Sequence, residues 1–132
     1  YLNRPDAGAV LHASPPYTTL VASSDLTINT NLTPESMFYV GAVATVPYLH
    51  AGTAELAEAA GRAAAGANAV IMGNHGMLSV GPTVARAFQV LESLEVHCKY
   101  EVLARAAGLR LNYLSPEQAA EYVAQSAYKG KQ

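Results

Sequence analysis

Histidines offer the widest chemistry in this sequence, and two of the four are associated with similar apolar runs. His75 lies in a glycine-bounded turn after the run 69–72, and His12 ends the run that begins at Ala9. An imidazole fixed by rigid neighbours can bind a metal ion or transfer a proton. The alternative for each ring is a core histidine that is hydrogen-bonded to the backbone. His12 and His75 are therefore the first candidates for a metal or proton-transfer site.

The other two histidines have less informative surroundings. His50 lies in a predicted loop before Gly52, where it either faces solvent or supplies an additional metal ligand. His97 falls opposite the apolar stripe of a predicted helix, so we expect it on the protein surface.

Several other side chains are candidates either for chemistry or for structure. Glu95 falls inside an apolar helical stripe and needs a partner, for which we expect a backbone or cationic group. Cys98 lies on the same stripe and is expected to be a small core residue. Ser14 precedes two prolines, a pattern that predicts the N-cap of a helix. Three tyrosines either pack helices or reach a neighbouring subunit's site, namely Tyr113, Tyr122 and Tyr128.

These candidates are positioned by alternating strands and helices. Short apolar runs bounded by turn residues predict strands at 9–12, 38–46, 69–72 and 77–80. Capping residues and helical spacing predict helices at 14–22, 53–66, 81–107 and 115–125, with a frayed tail at 128–132. The long third helix carries one predicted core stripe, made of Val84, Phe88, Leu91, Leu94, Cys98 and Val102. This order of elements predicts a layered α/β domain.

Composition excludes several classes of function. The chain has 132 residues, 51% of them apolar and 14% charged, so it can bury the core of one domain. A net charge of −2 without a basic stripe argues against a nucleic-acid partner. The apolar runs are too short to cross a membrane. Cys98 is the single cysteine, which favours a reducing compartment, and we expect a cytoplasmic protein.

Two groups of motifs together resemble the class II aldolase/adducin family, in particular its fuculose-phosphate aldolase and ribulose-phosphate 4-epimerase types. The first is the run 9–17, which is similar to an apolar strand followed by His-x-His-Pro. The second comprises Val46-Pro47-Tyr48, then Gly52-Thr53-x-Glu55-Leu56-Ala57, and finally Asn74-His75-Gly76. The resemblance implies a three-layer α/β/α sandwich with a mixed, mostly antiparallel sheet. It also implies a homo-oligomer, with a tetramer favoured.

The same resemblance implies a divalent metal, commonly zinc, that is held by three histidines. His12 and His75 match two of the ligand positions, while Ser14 occupies the position of the usual third ligand. His50 is a possible substitute. The family's first about 80 residues have no counterpart here, so residues 1–132 are expected to be the C-terminal portion of one N-terminally truncated domain. The acid/base glutamate is expected in that missing part, so no catalytic residue is assigned within this chain.

The implied function is a metal-dependent lyase of the sugar-phosphate aldolase type, which cleaves a C–C bond through a metal-stabilised enediolate. Its substrate would be a sugar phosphate or a similar hydroxy-carbonyl compound. One alternative is a family epimerase, dehydratase or decarboxylase. Another is a non-catalytic, adducin-like protein with a degenerate metal site, which would act in protein association. Ser14 favours the non-catalytic reading, whereas intact His12 and His75 favour an enzyme.

Overall fold

The computed structural model describes residues 1–126, and a four-stranded mixed sheet lies at its centre. The strands are β1 (Ala9–Ala13), β2 (Val43–Val46), β3 (Ala69–Met72) and β4 (Gly76–Gly81). Their spatial order is β1-β4-β3-β2. The β1–β4 and β3–β4 pairs are antiparallel and the β2–β3 pair is parallel. The expected mixed, mostly antiparallel sheet is therefore confirmed.

Four α-helices and one π-helical turn complete the described structure. They are α1 (Pro16–Ala22), the π-helical turn (Ser36–Val40), α2 (Ala54–Ala64), α3 (Val84–Ala106) and α4 (Pro116–Gln125). Threonine hydroxyls cap α2 and α3, and Ser115 forms a reciprocal capping box with Gln118 at α4. None of the helices in residues 1–126 is both long and apolar enough to cross a membrane.

Alternate side chains of the central strand β3 pack into different layers. Val70 and Met72 contact the cluster that includes Leu56 of α2. Ala69 and Ile71 contact the opposite cluster, which includes Val21 of α1 together with Val90, Leu94 and Cys98 of α3. Because successive strand residues point to opposite faces, one short strand holds both helical layers. The predicted α/β/α arrangement is confirmed.

The predicted strand at 38–46 is wrong in its first half. Residues 36–40 form the π-helical turn, and Gly41 ends it with φ of +63°. The Ser36 hydroxyl donates to the Thr30 carbonyl at 2.7 Å and holds this turn. Helix α2 ends at Ala64 with Ala65 as its C-cap, so Gly66 follows the helix as predicted. Arg4 donates to the carbonyls of Ala64 and Ala67 and thereby satisfies acceptors at this end of the helix.

The buried face of α3 also differs from the predicted stripe. Leu94 and Cys98 are buried as expected, but Val84 and Phe88 are exposed. The buried residues of the helix are Ala87, Val90, Leu94, His97, Cys98, Glu101 and Ala104. The prediction of a surface position for His97 was therefore wrong. The predicted frayed tail, with Tyr128, lies outside the described residues.

Candidate functional site

The turn between β3 and β4 is fixed to the elements on either side of it. The Gly73 N–H donates to the Val46 carbonyl at 2.8 Å, and the Asn74 N–H donates to the Ala22 carbonyl at 2.9 Å. Asn74 has a positive φ of 53°, a conformation that asparagine tolerates better than most residues. These bonds tie the turn to β2 and to α1, so the next residue, His75, projects from a rigid backbone.

Gly76 allows strand β1 to approach this turn closely. Its φ is +151°, and a Cβ placed there would lie 2.5 Å from the Ala13 carbonyl oxygen. Real Cβ atoms essentially never come so close, so the turn requires glycine at this position. The close approach places the end of β1, with His12, beside His75.

The imidazole rings of His12 and His75 face each other at the corner where the end of β1 meets the β3–β4 turn. Their centroids are 4.8 Å apart and their planes are inclined by 80°. His12 Nδ1 lies 3.0 Å from the Met77 carbonyl oxygen. Because a carbonyl can only accept, Nδ1 carries the proton and Nε2 keeps its lone pair. His75 Nδ1 is buried without a hydrogen-bond partner among residues 1–126.

Ser14 does not cap helix α1. Pro15 occupies the N-cap position, and no side chain of the capping residue bonds to the helix. The Ser14 hydroxyl instead donates to the carbonyl oxygen of His75 at 3.0 Å. The predicted cap was therefore wrong. Ser14 fastens the end of β1 to the backbone of the turn.

Glu95 of α3 replaces the missing local cap. Its carboxylate accepts from the N–H groups of Tyr17 and Thr18 at 2.9 and 2.8 Å, and from the Thr18 hydroxyl at 2.8 Å. Pro15 and Pro16 have no N–H, so this one carboxylate binds the first two amide donors at the start of α1. The expected backbone partner of Glu95 is confirmed, although neither Tyr17 nor Thr18 was identified from the sequence.

His50 does not complete a group of metal ligands with the other two histidines. Its Nδ1 lies 3.1 Å from the Tyr48 hydroxyl, and the two ring centroids are 5.4 Å apart. Within the described range, no three His, Cys, Asp or Glu side chains are grouped so that they could hold a metal ion. The roles of His12, His75 and His50 as ligands stay predictions.

The two facing histidines nevertheless fit part of a metal site. A lone pair on His12 Nε2 and an unpartnered, buried His75 Nδ1 are the atoms that a divalent ion requires from imidazoles. The hydrogen bond from His12 to the Met77 carbonyl is of the kind that fixes the tautomer of histidines that bind metals. Two imidazoles leave the remaining coordination positions to water, substrate or other groups.

A cavity of about 490 Å³ adjoins the same turn on the side of β2. Its polar lining includes Asp25, Thr27, Thr45, Tyr48 and Asn74, and its apolar lining includes Val21, Leu26, Val43 and Ile71. This volume lies within the range of small-molecule pockets. None of the lining residues is basic, so the cavity suits an uncharged hydroxylated group better than a phosphate.

Other titratable groups lie away from this corner. Cys98 is buried, and desolvation raises the pKa of its thiol to about 12. His97 and Glu101 are buried side by side on α3, where the Tyr113 hydroxyl donates to Glu101. Burial lowers the pKa of His97. Neither Cys98 nor His97 has the access that a catalytic or ligating group needs.

Comparison with known proteins assigns this arrangement to a family. A family model described as Class II Aldolase and Adducin N-terminal domain matches residues 1–102. The chain therefore belongs to the class II aldolase and adducin family. It is similar to an L-fuculose phosphate aldolase of Methanococcus maripaludis, with 30% identity over 95 residues. That match covers 72% of this chain and 51% of the relative, so the chain spans about half the length of the curated relatives it matches.

Solved structures with the same fold extend this likeness to nearly the whole chain. YgbL of Escherichia coli superposes with a TM-score of 0.84 and 25% identity, covering 93% of this chain and 60% of that one. An L-fuculose 1-phosphate aldolase from Glaciozyma antarctica has a TM-score of 0.73 and 30% identity, covering 92% and 45% of the two chains.

Proposed function

We propose that this chain carries the metal-binding part of a sugar-phosphate aldolase-type lyase. The observation that carries the proposal is the pair of facing imidazoles, His12 and His75, held at the corner where β1 meets the β3–β4 turn. Family membership and the similarity to L-fuculose phosphate aldolases support a sugar phosphate as the substrate class. We propose zinc as the metal because imidazole nitrogen is among its preferred ligands.

The residues of this chain would act mainly by holding groups in place. His12 and His75 would hold the ion, which when bound supplies Lewis-acid stabilisation of charge that develops on a substrate oxygen. Met77 keeps the His12 proton on Nδ1, and Ser14 fixes the backbone of His75. The cavity beside Asn74 would receive the uncharged hydroxyl groups of the substrate. The acid/base group and the phosphate-binding groups have no assignment among the described residues.

A second candidate function is a non-catalytic, adducin-like role in protein association. The specific observation in its favour is Ser14, whose hydroxyl donates to the backbone instead of projecting as a ligand. A family epimerase, dehydratase or decarboxylase would use the same two histidines, so these residues do not distinguish among the reactions. A homotetramer remains a proposal that rests on the family alone.

Zinc titration by calorimetry tests the proposed site. We expect weak, substoichiometric zinc binding by the natural chain, and its loss in His12→Ala and in His75→Ala. Ser14→His should increase zinc content, because a third imidazole adds a ligand. The lost bond to the His75 carbonyl should cost about 1 kcal/mol of stability. His50→Ala is the matched control and should bind zinc like the natural chain.

The acid/base and phosphate-binding groups have no assignment among the described residues, so aldol cleavage of a ketose 1-phosphate has to be followed in the whole protein, with and without Ser14→His, to separate the two candidate functions. Zinc binding with cleavage supports the lyase. Zinc binding that is lost in the histidine variants, without cleavage by either protein, favours the non-catalytic role. Zinc binding that persists unchanged in His12→Ala and His75→Ala would show that the corner is not the metal site.

A further inference from the structure

A second cavity, of about 390 Å³, opens where strand β4 ends and helix α3 begins. This volume lies within the range of small-molecule sites. Strand β4 runs from Gly76 at the histidine corner to Gly81 beside this cavity, a length of about 17 Å. The charged and polar side chains that line it are Arg4, Asp6, Asn68, Thr83, Arg86 and Gln89. We call it the Arg86 cavity.

Arg86 is a half-buried cation without a counter-ion. It makes no ion pair among residues 1–126, whereas Arg4, Arg62 and Arg105 each contact a carboxylate. Burial lowers the pKa of Arg86, because the guanidinium has lost part of its hydration. A charge that is partly removed from water without a partner costs free energy, and a bound anion would offset this cost.

The Arg86 guanidinium is positioned by two aromatic rings. Its central carbon lies 4.5 Å from the ring centroid of Tyr39 and 5.2 Å from that of Phe38. One of its N–H groups donates to the Phe38 carbonyl at 3.3 Å. A guanidinium has five N–H donors, and a carboxylate can accept two of them in parallel. Arg86 is therefore fixed in place and still has donors for a planar anion.

The other arginine of the cavity is already satisfied. Arg4 donates to both carboxylate oxygens of Asp6, at 2.8 and 2.7 Å, and to the side-chain oxygen of Asn68 at 3.0 Å. Because the Asn68 oxygen accepts this bond, the amino group of the same side chain is left as a donor. The Thr83 hydroxyl accepts from the backbone N–H of Arg86 at 3.1 Å and caps the helix. The side chains of Arg86 and Asn68 thus provide the donors for a ligand.

The charges of the cavity favour a ligand with one negative charge. Two arginines and one aspartate give the lining a net charge of +1, and the Asp6 carboxylate would repel the second charge of a phosphate ester. We propose that the Arg86 cavity binds a small hydroxy-carboxylate, with its carboxylate on Arg86 and a hydroxyl group accepting from Asn68. No residue of this cavity belongs to the proposed lyase site, so the binding does not depend on the proposed function.

Calorimetric titration of the whole protein with glycerate tests this proposal. Glycerate carries one carboxylate and two hydroxyl groups, and we expect a dissociation constant of about 1 mM. Glycerol lacks the charge and should give no measurable binding. Arg86→Gln should weaken glycerate binding about tenfold, because it removes the charge-assisted hydrogen bonds.

Substitutions of Gln89 provide a second test that should not disturb the fold, because this residue is exposed. Gln89→Glu should weaken glycerate binding about fivefold and Gln89→Lys should strengthen it, since each changes the charge of the cavity by one. Gln125→Lys on α4 is the matched control and should bind glycerate like the natural protein.

His12→Ala separates this cavity from the histidine corner. It should bind glycerate with unchanged affinity even though it removes a proposed metal ligand. Loss of glycerate binding in His12→Ala would place the ligand at the corner and overturn the proposal. The proposal would also fail if the natural protein bound no glycerate, or if Arg86→Gln and Gln89→Glu both bound it with unchanged affinity.

Discussion

Two histidine environments differ in what they leave the imidazole rings free to do: the pair His12 and His75 at the end of β1, and His97 on helix α3. At the β1 corner, His12 and His75 face each other, and one ring nitrogen of His12 is already bonded to a carbonyl. On α3, the His97 ring is 1% exposed, and neither of its nitrogens has a hydrogen-bond partner within residues 1–126. Its nearest charged group is Glu101, at 3.6 Å.

The difference teaches that rigidity alone does not make an imidazole functional. Both regions lie on well-packed elements, but only the corner combines access with a fixed tautomer and a lone pair left for a ligand. The polar groups of His97, Glu101 and Tyr113, which we call the α3 cluster, have structural roles. The Tyr113 hydroxyl bonds Glu101 and ties the segment before α4 to α3, while desolvation holds the pKa of His97 below its usual value.

The largest expected loss of stability comes from a substitution that disrupts the corner itself. Gly76→Ala should destabilise the chain by about 3 kcal/mol or more, because the new Cβ would meet the Ala13 carbonyl in a conformation that suits glycine. Urea denaturation measures the loss, and zinc titration should show weaker binding. Gly66→Ala, where no atom lies within 4 Å of the added Cβ, should change stability by less than about 1 kcal/mol. Equal effects of the two substitutions would contradict the close approach.

A second change loosens the corner from a distance. Glu95→Gln should lower the free energy of unfolding by about 2 kcal/mol, because a carboxamide presents an N–H group to backbone amides that need an acceptor. Hydrogen exchange should increase first at the start of α1 and the end of β1. Glu58→Gln, at an exposed pair on α2, should have little effect. Unchanged exchange around Tyr17 and Thr18 in Glu95→Gln would argue against the long-range cap.

A third change affects the α3 cluster and should leave the corner intact. Tyr113→Phe removes a donor to the buried Glu101 carboxylate and should lower the free energy of unfolding by about 1.5 kcal/mol. Tyr122→Phe on α4 serves as the control and should be nearly neutral. Zinc affinity should not change in either variant. A loss of zinc binding in Tyr113→Phe would mean that the two regions are coupled.

The smallest expected effect is a dependence of stability on pH that comes from His97. Burial lowers its pKa in the folded state below the ordinary 6.5, so the unfolded state binds the proton more readily. Stability from this group is complete above about pH 6.5 and decreases as the pH falls below that value. His97→Leu should flatten the decrease in denaturation midpoint between pH 7.5 and 5.5, whereas His50→Gln should not. Identical profiles for the natural chain and His97→Leu would exclude this role.

Local patterns in the sequence predicted much of the framework correctly. The β3–β4 hairpin follows from two apolar runs around Gly73-Asn74-His75, and the α4 start follows from the spacing of Ser115 and Gln118. These signals are reliable because the physical cause lies within a few residues of the element it defines. The predicted strand at 38–46 was nevertheless wrong in its first half, although the interactions that decide it are also local. The hydrogen bonds of Ser36 and the positive φ of Gly41 favour a helical turn, which the β-branched and aromatic content of the run does not reveal.

The sequence by itself determined the layered α/β class, the family, and the identity of His12 and His75 as the paired candidates. Only the tertiary structure decided that Ser14 binds the turn, that Glu95 caps a helix 77 residues earlier, and that His97 is buried. The physical reason is the range of the interactions. Periodicity and capping act over one or two helical turns. The partner of a buried polar group, in contrast, depends on which elements, distant in sequence, the sheet brings together.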